Sequence, residues 1–230
     1  MALIEVGVAD DELYVTAERF GTLEIPLEPD TGNVNPVTIW QSVCEGEIYP
    51  AVVNEWFSNV LGTNCQLVYM PDNSRRNVNP RFDHGQDIVS FADGYPLMAI
   101  SEASLADLNS RLDEQMPMNR FRPNLVISGC GAFDEDDWQN ISVGDANFRS
   151  TKPSERCVIT TVDQSKGEFA GKEPLKTLAS FRMAKKVIPH RTEALGVGET
   201  AVLFGQNLIA ESVGAAIKIG DRVEVLTRLV

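Results

Sequence analysis

Cysteine and histidine are scarce and scattered. The four cysteines, Cys44, Cys65, Cys130 and Cys157, form no C-x-x-C pair, which argues against a zinc knuckle, an iron–sulfur cluster or a redox dithiol. Reduced, separately placed thiols are the expectation. Only two histidines, His84 and His190, are present, too few to favour a histidine-built metal centre, and both read as surface or loop residues. Positive charge is short as well: 20 Lys and Arg against 33 Asp and Glu leave a formal charge of -13. Such a surface repels phosphate backbones and anionic membranes, so no nucleic acid and no membrane is expected as a partner. The opening MALIEVGVADDELYV lacks a basic region leading into a long apolar run, and no later stretch reaches the length of a membrane span. A cytoplasmic location is the default that follows. Missing too are G-x-S-x-G, a Walker loop, a Rossmann glycine run and H-E-x-x-H, which sets aside the standard hydrolases and nucleotide-phosphate enzymes.

What is present suffices for a globular core. A chain of 230 residues with 43% hydrophobic content can bury one large or two small cores without disulfide staples. The runs ELYVTA and TLEIPL alternate apolar and polar residues and predict strands, with turn chemistry in EPDTGNVNP. YPAVVNEWFSNVLG sets Val52, Val53, Trp56, Phe57, Val60 and Leu61 on one helical stripe, opened near Pro50 and closed by Gly62. QLVYMP predicts a further strand, and DNSRRNVNPRFDHGQD, basic at Arg75, Arg76 and Arg81, reads as a boundary or an open binding loop. Beyond it, SEASLADLNSRL predicts a helix capped by Ser101 with Leu105, Leu108 and Leu112 at core spacing, and NLVISG a strand. ISVGDANF and IKIGDRVEV share a Gly-Asp turn between apolar alternations and predict two hairpins. EPLKTLASFR, with Pro174 in its first turn, predicts a helix, and FGQNLIA a strand. The fold class is mixed α/β and β-rich, with a barrel-like sheet and packed helices, divided into residues 1–78 and 79–230.

Two constellations carry candidate chemistry. ERCVITTVD, read as a strand, puts Glu155, Cys157 and Ile159 on one side and Arg156 on the other. Cys157 is then either a small core residue or a thiolate, stabilised by the neighbouring guanidinium, that could bind a soft metal. In RFRPNLVISG, Pro123 separates Arg122 from Asn124 just before a strand. The pair suits an anion rich in acceptors, or Arg122 simply pairs with one of the many carboxylates. The acidic cluster FDEDDW has no spaced bidentate glutamate and reads as a solvated loop.

SEASLADLNSRL, FRPNLVISG, RCVITTVD, EPLKTLASFR, FGQNLI and IKIGDRVEVL occur in an order that resembles the MOSC (molybdenum cofactor sulfurase C-terminal) domain proteins, in particular the amidoxime-reducing components and their bacterial relatives. The resemblance covers about residues 80 to 228 and implies a MOSC domain preceded by part of an N-terminal β-barrel domain. It implies a molybdenum–molybdopterin cofactor, with Cys157 as metal ligand and catalytic centre and Arg122, Asn124 and Arg156 as cofactor contacts. The implied reaction reduces small N-hydroxylated compounds such as amidoximes, N-hydroxylated bases and hydroxylamines. A separate donor protein carrying flavin, haem or iron–sulfur would supply electrons, since the chain has no iron–sulfur cysteine run. A lesser association of the family is pyridoxal phosphate. Rival functions within it are a molybdenum cofactor or sulfur carrier acting through Cys157, and a fold remnant without cofactor. This chain departs from the family pattern in lacking a longer opening segment with a Lys-Ser pair and a further arginine, so that it reads as shortened there. It departs again at Glu155, where close relatives commonly carry serine.

Overall fold

In the computed structural model, which describes residues 1–229, the chain folds into two compact units. The first comprises residues 1–77, 88–93 and 164–168; the second comprises 78–87, 94–163 and 169–229.

Alternation in the first unit becomes antiparallel pairing. Strands β1 (Glu5–Ala9), β2 (Glu12–Ala17) and β3 (Gly21–Pro26) form one meander, and β4 (Val34–Ile39), β5 (Ser42–Ile48) and β6 (Val68–Tyr69) form another. β4 begins inside the stretch expected to be a turn, and QLVYMP contributes only two strand residues. Helix α1 (Ala51–Leu61) starts after Pro50 and ends at Gly62 in the left-handed conformation, as its sequence predicts. Its stripe, through Val53, Trp56 and Phe57, packs with Val15, Ile25 and Tyr49. The expected open basic loop is partly a brace: Arg76 is buried and donates to the carbonyls of Ser90, Ala92 and Asp93 at 2.7, 2.6 and 2.7 Å. Three backbone acceptors that the sequence cannot place draw the guanidinium inward.

The second unit contains β7 (Leu97–Ser101), α2 (Glu102–Asn109), β8 (Leu125–Ile127), β9 (Trp138–Val143), β10 (Ala146–Glu155), the two-residue strand β11 (Val162–Asp163), helices α3 (Leu175–Phe181), α4 (Ala184–Val187) and α5 (Thr192–Leu195), then β13 (Leu203–Ala210) and β14 (Val223–Arg228), while the two-residue strand β12 (Glu168–Phe169) begins on the last residue of the first unit's 164–168 segment. Its main sheet has the order β14-β9-β10-β13-β7-β8, antiparallel except for β7 beside β8. The architecture is thus mixed α/β and strand-rich, as expected. Ser101 caps α2 by accepting from Ser104 N, and Leu108 is wholly buried beneath it. Ile100, Leu108, Phe121, Leu178 and Phe204 form one core cluster; Trp138, Ile141, Phe148 and Leu208 belong to another.

Three expectations here are corrected. IKIGDRVEV is not a hairpin: Ile217–Arg222 turns, and only β14 follows, pairing with β9. FDEDDW is not a solvated loop. It forms a 3₁₀ turn, Asp134–Asp137, whose Glu135 is 0% exposed and accepts from Ser101 N and Ser104 Oγ. Nearby, Asp136 pairs with Arg182 at 2.7 Å. Donors from β7, α2 and residue 182 pull these carboxylates inward, a demand absent from local sequence. Finally, Cys157 does not lie within a strand, because β10 ends at Glu155.

Candidate functional site

The chain around Cys157 changes from strand to turn. Two register shifts disturb β10 between Ser150 and Glu155, and β-bulges of this kind end pairing and redirect side chains. Cys157 then takes extended dihedrals as the cap of a 3₁₀ turn, Val158–Thr161, and accepts at its carbonyl from Thr160 N and Oγ1. Among the four free cysteines, Cys157 alone is exposed; Cys44 is buried, and burial pushes the half-buried Cys130 thiol up. A thiolate is the metal-binding form. By access, Cys157 is the thiol best placed to meet a metal.

Arg122 reaches the same region from another segment. A 3₁₀ turn, Met118–Arg120, leads into Phe121, and Arg122 follows with a φ of 53°. That is a strained conformation for a side chain other than glycine, and it persists only where neighbours fix it. The fixing contact is Arg156: its Nη2 donates to the Phe121 carbonyl at 2.6 Å, with its guanidinium 5.5 Å from the Phe121 ring centroid. Nη1 donates to Ser154 Oγ and to Met98 Sδ.

Met98 joins the remaining candidate. Asn124 N donates to Met98 O, and Met98 N donates to Asn124 Oδ1, each at 2.9 Å. The amide oxygen of Asn124 is therefore used to seat the chain after Pro123 against β7. Arg122 itself is exposed. The structure brings Cys157, Arg156, Arg122 and Asn124 onto one framework in the second unit, but two of them chiefly hold that framework. The sequence reading missed Met98, the shared partner of Arg156 and Asn124. A buried methionine carries no sequence signal for such a role.

Other charged candidates lie apart from this framework. Arg81 donates to the carbonyls of Glu193 and Ala194, closing the end of α5. His84 and His190 are exposed, as expected, and His84 Nδ1 lies 3.7 Å from Glu211. Among the described residues, no group of three or more His, Cys, Asp or Glu side chains could hold a metal ion, and no helix is long and apolar enough to cross a membrane. A metal at Cys157 would therefore have to arrive with most of its ligands.

That donor set fits a pyranopterin molybdenum group: one exposed soft ligand for the metal and an exposed guanidinium nearby for an anionic tail. Curated proteins supply an independent comparison. The chain is 33% identical over 235 residues to "Mitochondrial amidoxime-reducing component 1" of Homo sapiens, covering 98% of this chain and 66% of that protein. It is 34% identical over 232 residues to the protein of the same name from Mus musculus, covering 98% and 66%. It is 31% identical over 229 residues to "Mitochondrial amidoxime reducing component 2" of Bos taurus, covering 97% and 66%. The chain thus spans about two thirds of the length of these relatives. The sequence model of one family matches residues 86–224, a range that holds Arg122, Asn124, Arg156 and Cys157 together, and the chain belongs to that family, the MOSC domain proteins.

Proposed function

We propose that this chain is a molybdenum-dependent reductase of small N-hydroxylated compounds, driven by electrons from a separate donor protein. The observation that carries the reading is the exposed Cys157 thiol beside a corner built to present Arg122. Similarity to proteins named amidoxime-reducing components supports it.

Cys157 would bind the metal and Arg122 the anionic tail of a pyranopterin molybdenum group, which supplies two-electron removal of oxygen when bound. Arg156 keeps the Phe121–Arg122 corner in place, and Asn124 anchors its far side through Met98. Thr160 holds the Cys157 carbonyl, fixing the turn from which the thiol projects. The protein's contribution is thus orientation and charge, while the bound group carries the redox step.

The test is expression in a host competent for molybdenum cofactor synthesis, with molybdenum per chain measured by elemental mass spectrometry in wild type and Cys157→Ala. The reading requires near-stoichiometric metal that the variant loses, together with reduction of benzamidoxime by an added electron donor. Metal without turnover under several donors would point to a cofactor carrier. A persulfide mass increment on Cys157 without metal would point to sulfur transfer.

A further inference from the structure

We infer that Glu155 selects substrates whose products are amidinium-type cations, so that amidoximes are preferred over N-hydroxylated compounds with neutral products. This substrate class rests on the reductase reading above.

The inference starts from the way β10 ends. Residues three apart in a regular strand point to opposite faces, yet Lys152 Nζ and Glu155 Oε1 form an ion pair. The register shifts between Ser150 and Glu155 bring Lys152 round to the same side. Arg156 turns its guanidinium to the Phe121 carbonyl. Cys157 follows two residues after Glu155 in extended backbone, and both side chains are exposed. Two residues of chain span at most about 7 Å even when fully extended. A carboxylate therefore stands within a small molecule's length of the candidate metal ligand.

Chemistry decides what that carboxylate does. Reduction of an amidoxime breaks its N–O bond: R–C(NH2)=NOH takes up two electrons from the donor protein and two protons, giving R–C(NH2)=NH and water. With a third proton taken up by that nitrogen as the N–O bond breaks, the product is the planar amidinium R–C(NH2)2+, whose two N–H groups form the same fork as a guanidinium, and its charge already builds in the transition state, where stabilising it raises kcat/KM. Carboxylates accept such forks through both oxygens. Lys152, a flexible point charge, offers one end only. The Lys152–Glu155 pair is partly exposed, with side chains 19% and 36% accessible, and such pairs contribute little to stability. An amidinium can therefore replace Lys152 at low cost. Tyr95 does not compete: burial and then the Glu155 charge push its phenol up to about 12, leaving it neutral.

Benzamidine, the product from benzamidoxime, provides the direct probe. Isothermal titration of the purified full chain should give about tenfold weaker binding in Glu155→Gln and tighter binding in Lys152→Met. Loss of fold would weaken both, so opposite signs identify charge. Equal affinities, weakening in both variants or no binding to wild type would overturn the inference, whether or not the protein turns over. In molybdenum-loaded protein, kcat/KM for benzamidoxime relative to N-hydroxybenzenesulfonamide, whose product is neutral, should fall about tenfold in Glu155→Gln at unchanged metal content. An unchanged ratio would overturn the inference as well. If wild type reduces neither compound, the reductase reading fails, and the benzamidine titration still decides the role of Glu155.

Discussion

The guanidinium of Arg156 donates to the carbonyl oxygen of Phe121 at 2.6 Å. The bond links residue 156, just past the end of β10, to a segment 35 positions earlier in the sequence. Its geometric consequence is local: Phe121 is 1% exposed and cannot shift, so the strained Arg122 after it is held at the surface. One residue beyond Arg156 lies Cys157. The corner and the thiol are thus positioned by neighbouring parts of one strand end.

Removing that bond should loosen Arg122 before it unfolds the protein. A hydrogen bond from a charged donor contributes about 1.5–3 kcal/mol, so Arg156→Gln should lose that order of stability in urea unfolding. Arg156→Lys should rescue little, because an ammonium cannot reach Ser154, Met98 and Phe121 together as the planar fork does. Under the proposed function, both variants should also retain several-fold less molybdenum. Full metal content in Arg156→Gln would show that Arg122 needs no such support.

Cys157 should behave in the opposite way. As an exposed residue beyond the strand, it contributes little packing, and Cys157→Ser should change stability by no more than about 0.5 kcal/mol. A chromogenic disulfide reagent added to cofactor-free native protein should react fastest at Cys157, and Cys157→Ser should remove that fast phase. Persistence of the phase in the variant would assign it to Cys65 or Cys130.

Local periodicity made much of this fold legible: α1 between Pro50 and Gly62, α2 capped by Ser101, and β13 in FGQNLIA all reflect patterns within ten or so residues. The failures share a physical cause. Glu135 and Arg76 carry charge and were expected in solvent, but distant groups supply their buried partners, Ser101 and Ser104 for one and three carbonyls for the other. Cys157 was ambiguous because ERCVIT alternates like a strand, whereas bulges end the pairing at Glu155. Within the candidate site, motifs named the residues, and only the fold showed which of them brace the others.

Gly205, in the same FGQNLIA run, has a requirement that alternation hides. Its φ is +87°, and a Cβ would lie 2.9 Å from the Ala99 carbonyl oxygen and 2.7 Å from Ile100 Cγ1. Strain at positive φ costs more than about 1 kcal/mol, and overpacking adds roughly 1–3 kcal/mol. Gly205→Ala should therefore lose about 2–4 kcal/mol in urea unfolding. Because β7 pairs with β13 and carries Met98, the Asn124 anchor should be disturbed too. Native stability in Gly205→Ala would mean that β7 can withdraw without cost.

Asp136 gives a pH dependence whose sign opposes the usual one for an ion-paired carboxylate. Both its oxygens accept from Arg182 Nη2, at 2.9 and 2.7 Å, and the guanidinium also lies 4.3 Å from the Phe133 ring centroid. Burial nevertheless outweighs that attraction and pushes the carboxyl from 3.8 up to about 6, with the neighbouring Glu135 and Asp137 charges adding to the rise. Between these values the folded protein binds more protons than the unfolded chain, so this group's contribution to stability falls as pH rises. At 1.36 kcal/mol per unit, the fall is roughly 3 kcal/mol, mostly complete by pH 6 to 7. The stability of wild type minus that of Asp136→Asn, measured by urea unfolding from pH 4 to 7, should decline across the range and then level. A difference that instead rises with pH would show that the Arg182 guanidinium prevails over burial and keeps Asp136 ionised in the folded protein.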